Sequence, residues 1–229
     1  MTSFGVARLV AAKDLRIELR SRVLMNQVLP FAAIVMVLFA FALDGDDLLT
    51  RVAPGLVWLA TLFSMLVVVQ RSFAVEAADG ALDALRIAGI PAQGIYLGKS
   101  MALAAQLLVL EILLFAAAFV LYSSRSGAGG AGLLITSALA ASCGLGLVGT
   151  LYGGLTTGAK GRESLLPLLL LPVVAPVLIG ATRATEAALG VGGISMREGW
   201  AWVALLVTYA LNFGIGGSIG FGPLVDDGE

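Results

Sequence analysis

Apolar positions in this chain fall into six nearly unbroken blocks, separated by short connectors that carry most of the charge. The blocks occupy residues 23–43, 52–69, 97–122, 132–155, 165–181 and 200–222. An α-helix needs ~20 mostly apolar residues to cross ~30 Å of hydrocarbon, and each block is of about that length. Helices are predicted because lipid offers no partner to the unpaired N–H and C=O groups of a strand. The blocks also lack the apolar–polar alternation of barrel strands, which excludes a closed β-barrel. The first block is too long for a signal-peptide core, and Asp44-Gly45-Asp46-Asp47 follows it in place of a small-residue cleavage site. It is therefore expected to stay in the mature protein. The fold class predicted is an all-α integral membrane protein with six transmembrane helices, forming one domain over residues 1–229.

Composition agrees with the pattern. Hydrophobic residues make up 59% of the chain and charged residues 13%, against about 25% charged in a soluble domain. Placement of the bases then predicts orientation. Ten of the 14 lysines and arginines fall on one side: Arg8, Lys13, Arg16, Arg20, Arg22, Arg71, Arg86, Lys99, Lys160 and Arg162. Only Arg51, Arg125, Arg183 and Arg197 fall on the other. Positive residues are retained on the cytoplasmic side, so both termini are expected in the cytoplasm. No dense basic patch with interleaved aromatics occurs, and nucleic acid is excluded as a partner.

Several chemistries are absent. The chain has no histidine, so zinc or haem ligation by imidazole and Ser-His-Asp or Cys-His catalysis cannot belong to it alone. The single cysteine, Cys143, sits inside an apolar block beside Gly144 and reads as a small packing residue. Gly158-Ala159-Lys160-Gly161 is a short basic loop and not a nucleotide-binding G-x-x-x-x-G-K-[ST] run. No catalytic, cofactor-binding or metal-binding residues are assigned. Work driven by ATP needs a separate ATPase subunit.

The connectors carry the remaining signals. In residues 3–22, Phe4, Ala7, Ala11, Leu15 and Leu19 recur at helical spacing, while Lys13, Arg16 and Arg20 line another face. That pattern predicts an interfacial helix, its bases toward lipid headgroups, leading as an elbow into the first span. The alternative is a solvated helix that only sets topology. Between the second and third blocks, Asp79 can cap a short helix over residues 79–89 that Gly89 closes and Pro91 stops. Leu82 and Leu85 then form a small apolar plug with Asp83 and Arg86 on its rim, the shape a cytoplasmic partner's groove would grip. A helix touching only lipid is the alternative.

Inside the bilayer, Ser142, Gly146, Gly149 and Gly153 in the fourth block, and Gly216 and Gly220 in the sixth, predict close helix approach. Pro167, Pro172 and Pro176 predict a fifth span kinked or broken near its middle. Glu111 lies near the centre of the third block, where a carboxylate costs at least ~3 kcal/mol on insertion scales. It is expected to face the bundle, either lining a transport path or subunit interface or hydrogen-bonded to a neighbouring helix.

Three stretches carry a family resemblance. They are Arg51-x-Ala53-Pro54-Gly55-x-x-Trp58, then Arg71-x-Phe73-x-x-Glu76-x-x-Asp79-Gly80-x-Leu82-x-x-Leu85, then Leu166-Pro167 through Leu171-Pro172-x-x-x-Pro176-x-Leu178-Ile179. With these the chain resembles the CcmB family, permeases of the haem exporter-like ABC complex of cytochrome c maturation. Two features depart from the family: Gln70 stands before Arg71 where an acidic residue is usual, and the end Asp226-Asp227-Gly228-Glu229 is acidic where the family's ends are commonly basic or neutral. The resemblance implies an ABC-2-type exporter fold with an N-terminal elbow, in the bacterial inner membrane. It implies a second copy of the chain, a CcmA-like ATPase, a CcmC-like haem-handling protein and a small CcmD-like subunit as partners. Haem is implied as substrate of the complex. The ATPase-coupling residues implied are Glu76, Asp79, Gly80, Leu82, Asp83 and Leu85, in a coupling helix over 79–89. A permease of the same fold exporting a lipid, drug or polysaccharide, or a secondary transporter, are the alternative functions.

Overall fold

A computed structural model describes residues 2–42, 46–79, 88–121, 130–156 and 165–226. Among them the secondary structure is entirely helical. The helices are α1 (Ser3–Ser21), α2 (Leu29–Ala42, preceded by a π-turn Leu24–Val28), α3 (Asp46–Asp79), α4 (Ala92–Leu121), α5 (Gly130–Thr156), α6 (Leu165–Leu189) and α7 (Met196–Asp226). Six stretches are long and apolar enough to span: Leu24–Ala42, Leu48–Glu76, Ala92–Leu121, Gly130–Leu155, Pro167–Leu189 and Met196–Pro223. The protein is an integral, multi-pass membrane protein.

The helix ends follow from local chemistry. Thr2 caps α1, its hydroxyl accepting from the Gly5 N–H, and α1 closes at Arg22 in a left-handed conformation (φ 52°). The chain turns a corner there. The Leu24 N–H, first of the span and without a helical partner, donates to Glu18 Oε1 at 2.6 Å. The π-turn lies just before Pro30, whose ring would crowd the carbonyl four residues back in a regular α-turn.

The spans pack around one core, to which α2 contributes Ala32 and Met36. The most enclosed is α3, with 72% of its span buried against 22% for the first span and 17% for α7. At 34 residues it is about 50 Å long at 1.5 Å per residue, well beyond the hydrocarbon thickness. Trp58 on α3 stacks edge-on against Phe115 of α4 and donates its Nε1–H to Thr185 Oγ1 of α6 at 2.9 Å. The glycines of α5 work as the small-residue pattern predicts. A Cβ on Gly146 would meet the Ser100 carbonyl of α4 at 2.7 Å, and one on Gly149 would meet Leu103 and Val69 at 3.0 Å.

One expectation is corrected and two are sharpened. On α7, Gly216 and Gly220 face open space, and it is Gly217 that packs, against the Tyr96 ring. The Tyr96 hydroxyl lies 2.7 Å from the Phe213 carbonyl and 3.2 Å from that of Leu147, joining α4, α5 and α7. Second, of the kink or break expected in α6 there is no break: its helix runs through Pro172 and Pro176 to Leu189. Pro167 lies in the first turn, where a missing donor costs nothing, and the Tyr209 hydroxyl of α7 donates to the Val173 carbonyl at 2.9 Å beside the proline pair. Third, Lys99, counted above among the bases of one membrane side, is not a surface charge. It stands inside α4, buried.

Candidate functional site

The chemistry-bearing cluster of this molecule lies where α1, the far end of α3 and the first turns of α4 converge. Helical spacing puts Val6, Ala7, Val10, Ala11 and Asp14 on one face of α1, and that face is buried. The opposing face of α4 carries Gly94 and Gly98. A Cβ on Gly98 would come within 2.6 Å of the Ala7 carbonyl and of Val10 Cβ, so only glycine permits the approach. The apolar stripe predicted for α1 is therefore split. Its alanines, Ala7 and Ala11, pack inward, while Phe4 and Leu19 are 72% and 75% exposed and point away from the bundle.

This close seat carries Asp14 to Lys99. Lys99 Nζ lies 3.3 Å from Asp14 Oδ2 and 2.8 Å from Glu76 Oε2, the latter a charge contact without hydrogen-bond geometry. Ser72 Oγ accepts from the same ammonium at 3.2 Å, and the Phe73 ring lies beneath it with its centroid 4.7 Å away. Lys13 closes the circuit from the rim, 3.0 Å from Asp14 Oδ1 and hydrogen-bonded to Glu76 Oε1. The side chains of Lys99 and Glu76 are only 2% and 4% exposed. Two lysines face two carboxylates, so the cluster is neutral as a unit, which is the condition for burying such charges.

The Lys13 pKa is raised above the ordinary lysine value. Its partial burial alone would lower it, but the hydrogen bond to Glu76 and the charges of Asp14 and Glu76 outweigh that. A cleft lined by Asp14, Glu18, Arg71, Ser72, Glu76 and Gln106 adjoins the cluster. Gln106 Oε1 there has no hydrogen-bond partner among the described residues.

The residues singled out from the sequence are placed as follows. Glu76 is buried in the clamp, and Asp79 is the last residue of α3. Gly80, Leu82, Asp83 and Leu85 lie outside the described residues. Gly89 follows with φ +68°, a left-handed conformation suited to glycine. Glu111 is 1% exposed in the interior of α4, and Ser142 of α5 donates to its Oε1 at 2.7 Å. The structure thus gives Glu111 a helix–helix hydrogen bond. It stands twelve positions beyond Lys99 on the same helix. Among the described residues no group of three or more acids or cysteines is placed to hold a metal ion.

Sequence reasoning missed Asp14 and the pairing of Lys99. The available signal was Asp14 itself, one of two acids in a mostly basic elbow segment and adjacent to Lys13.

Comparison with known proteins covers nearly the whole architecture, clamp included. A family model described as "CcmB protein" matches residues 6–215. The chain is 32% identical to "Heme exporter protein B" of Pseudomonas aeruginosa over 211 residues, 90% of this chain and 92% of that one. It is likewise 32% identical to the protein of that name from Rhodobacter capsulatus over 183 residues, 75% and 78% of the two chains. The Escherichia coli K12 protein of the same name is 32% identical over 180 residues, 76% of this chain and 79% of that one. With a match that begins in the elbow helix and ends in the last span, this chain belongs to the CcmB protein family.

Proposed function

We propose that the protein is the membrane permease of a haem exporter, driven by a separate ATPase subunit and serving c-type cytochrome assembly. The observation that carries this reading is the family match over residues 6–215, together with the printed name of the aligned relatives, "Heme exporter protein B". The residues of this chain supply no engine of their own. They contain no histidine and no nucleotide-binding lysine loop, so energy must enter through a partner.

The entry point in this reading is the segment after α3. That helix is a rod of about 50 Å, at 1.5 Å per residue, and it ends at Asp79, just before the proposed coupling residues. An ATPase of the CcmA type would grip Leu82 and Leu85 there, with Asp79, Gly80 and Asp83 shaping the plug. Glu76, buried and clamped, would not touch the ATPase and would instead hold the rod. The complex would contain a second copy of the chain, a CcmC-like haem-handling protein and a CcmD-like small subunit. It would sit in the bacterial inner membrane. The surplus of lysine and arginine at the α1 end supports cytoplasmic termini.

Affinity purification of the tagged chain in mild detergent, followed by mass spectrometry, tests this. Recovery of an ATPase and a haem-binding membrane protein is expected. A chain purified from its native membrane without any ATPase would refute the reading.

A further inference from the structure

We propose that the cleft between α1, α3 and α4 is a headgroup site for a zwitterionic aminophospholipid, taking the lipid's primary ammonium against Gln106 and Glu18 and its phosphate against Arg71. The site needs only the residues of this chain and a membrane around it, whatever the protein exports.

The cleft begins where the spans end. Val23 on its wall directly precedes the first span, and Glu76 closes the second. Its outer end therefore stands at the edge of the hydrocarbon, where headgroups lie. From there it reaches inward to Gln106, which is 8% exposed and whose Oε1 has no hydrogen-bond partner among the described residues. A buried carbonyl oxygen is costly to leave without a donor. An ammonium brings three N–H donors.

Two charges lining the cleft lie outside the clamp. Glu18 gives one oxygen to the Leu24 N–H, and Arg71 is half-buried on α3. Among the described residues no ion pair joins the two. A zwitterionic headgroup answers both at once, ammonium to carboxylate and phosphate to guanidinium. The lining acids Asp14, Glu18 and Glu76 are balanced by Arg71 together with Lys13 and Lys99. A net-neutral headgroup keeps that balance, whereas an anionic lipid would add negative charge beside buried carboxylates.

Size selects among zwitterions. The cleft has about 40 Å³ of room. One water-sized group needs ~10–15 Å³, so about three such groups fit. That is an ammonium on a two-carbon stem. A trimethylammonium is bulkier and has no N–H to offer Gln106. Ile17, Val68 and Val75 supply the apolar wall against which the stem and glycerol can lie.

Native mass spectrometry and thermal unfolding of the full chain test the site. Dioleoyl-phosphatidylethanolamine, -phosphatidylcholine and -phosphatidylglycerol are each titrated into the detergent. The ethanolamine lipid should be retained about tenfold more strongly than the other two, and it alone should raise the unfolding temperature as its concentration rises. Gln106→Leu removes the acceptor while keeping its volume, and Arg71→Gln removes the phosphate partner. Each should cut retention about tenfold, the weight of one hydrogen bond to a charged group. Retention is scored on the folded fraction from gel filtration, which separates a lost site from a lost fold. Equal retention of all three lipids, or wild-type retention in both variants, would overturn the proposal. So would a carbodiimide cross-link in the intact complex joining Glu18 to a lysine of another protein, which would give the cleft to a polypeptide.

Discussion

Lys99→Met is the sharpest single perturbation of the clamp. The substitution keeps the length and apolar stem of the side chain and removes only the ammonium. Asp14 and Glu76 then share one remaining base, Lys13, whose side chain is 39% exposed. Each of the two lost contacts, at 3.3 and 2.8 Å, represents about 5–6 kcal/mol of attraction at an effective dielectric of ~20, before desolvation is subtracted. Desolvation takes back most of that when a pair is made. It is not recovered when one partner is deleted and the other stays buried, so the net loss expected is about 3–5 kcal/mol. Adding Asp14→Asn removes the orphaned charge and leaves Lys13 opposite Glu76. The double variant should therefore be more stable than Lys99→Met alone, with a coupling energy of about 1–3 kcal/mol, within the range for residues of one network. The assay is reversible unfolding in mixed micelles with increasing sodium dodecyl sulfate, followed by tryptophan fluorescence. A Lys99→Met protein within about 1 kcal/mol of wild type, or a double variant less stable than the single, would refute the buried-clamp reasoning.

Other outcomes follow from named contacts. Ser142→Ala strips Glu111 of its hydrogen bond to α5 and should cost about 1–3 kcal/mol in the same unfolding assay, whereas Glu111→Gln keeps an acceptor for Ser142 and should cost less. Gly146→Val would push a side chain into the Ser100 carbonyl, so the expected result is overpacking by about 1–3 kcal/mol or more and a lower yield of folded protein by gel filtration. Leu82→Asp with Leu85→Asp should abolish ATPase recovery on affinity purification while membrane insertion stays intact; unchanged recovery would remove the plug assignment. The pH dependence of α1 follows from Lys13. A lysine pKa raised above 10.5 contributes stability fully below that value and loses it only as pH climbs through the higher folded value. A spin label on α1 should accordingly stay immobile to about pH 10 and loosen above that.

Much of the architecture is legible in the sequence because lipid imposes a length rule that single residues do not override. The six blocks and the helical N-terminal segment all return as helices. Block ends were misjudged where polar residues continue a helix. Gln70, Arg71 and Ser72 read as connector, yet α3 runs on through them to Asp79, because helix propagation continues wherever side chains can be satisfied nearby. Residues Ser72, Phe73 and Glu76 are satisfied there by Lys99, and that pairing joins positions far apart in the chain. No periodicity could have revealed it. The same holds for α1, where Phe4 and Leu19 of the visible stripe face outward and the packed face is set by the glycines of α4. Gly217 was overlooked for Gly216 and Gly220 because small-residue spacing gives a period, while only the partner helix decides the register. Prolines 172 and 176 predicted a kink or a break, and α6 shows no break, since a transmembrane helix can continue past proline when neighbours satisfy the freed groups.

The most direct test of the account is haem transfer by the purified complex in sealed vesicles, with an apo-cytochrome chaperone outside and haem and nucleotide supplied on the α1 side. Delivery should require both this chain and hydrolysable ATP, and should stop with a non-hydrolysable analogue. Full delivery by this chain alone, indifferent to nucleotide, would contradict the account at its root.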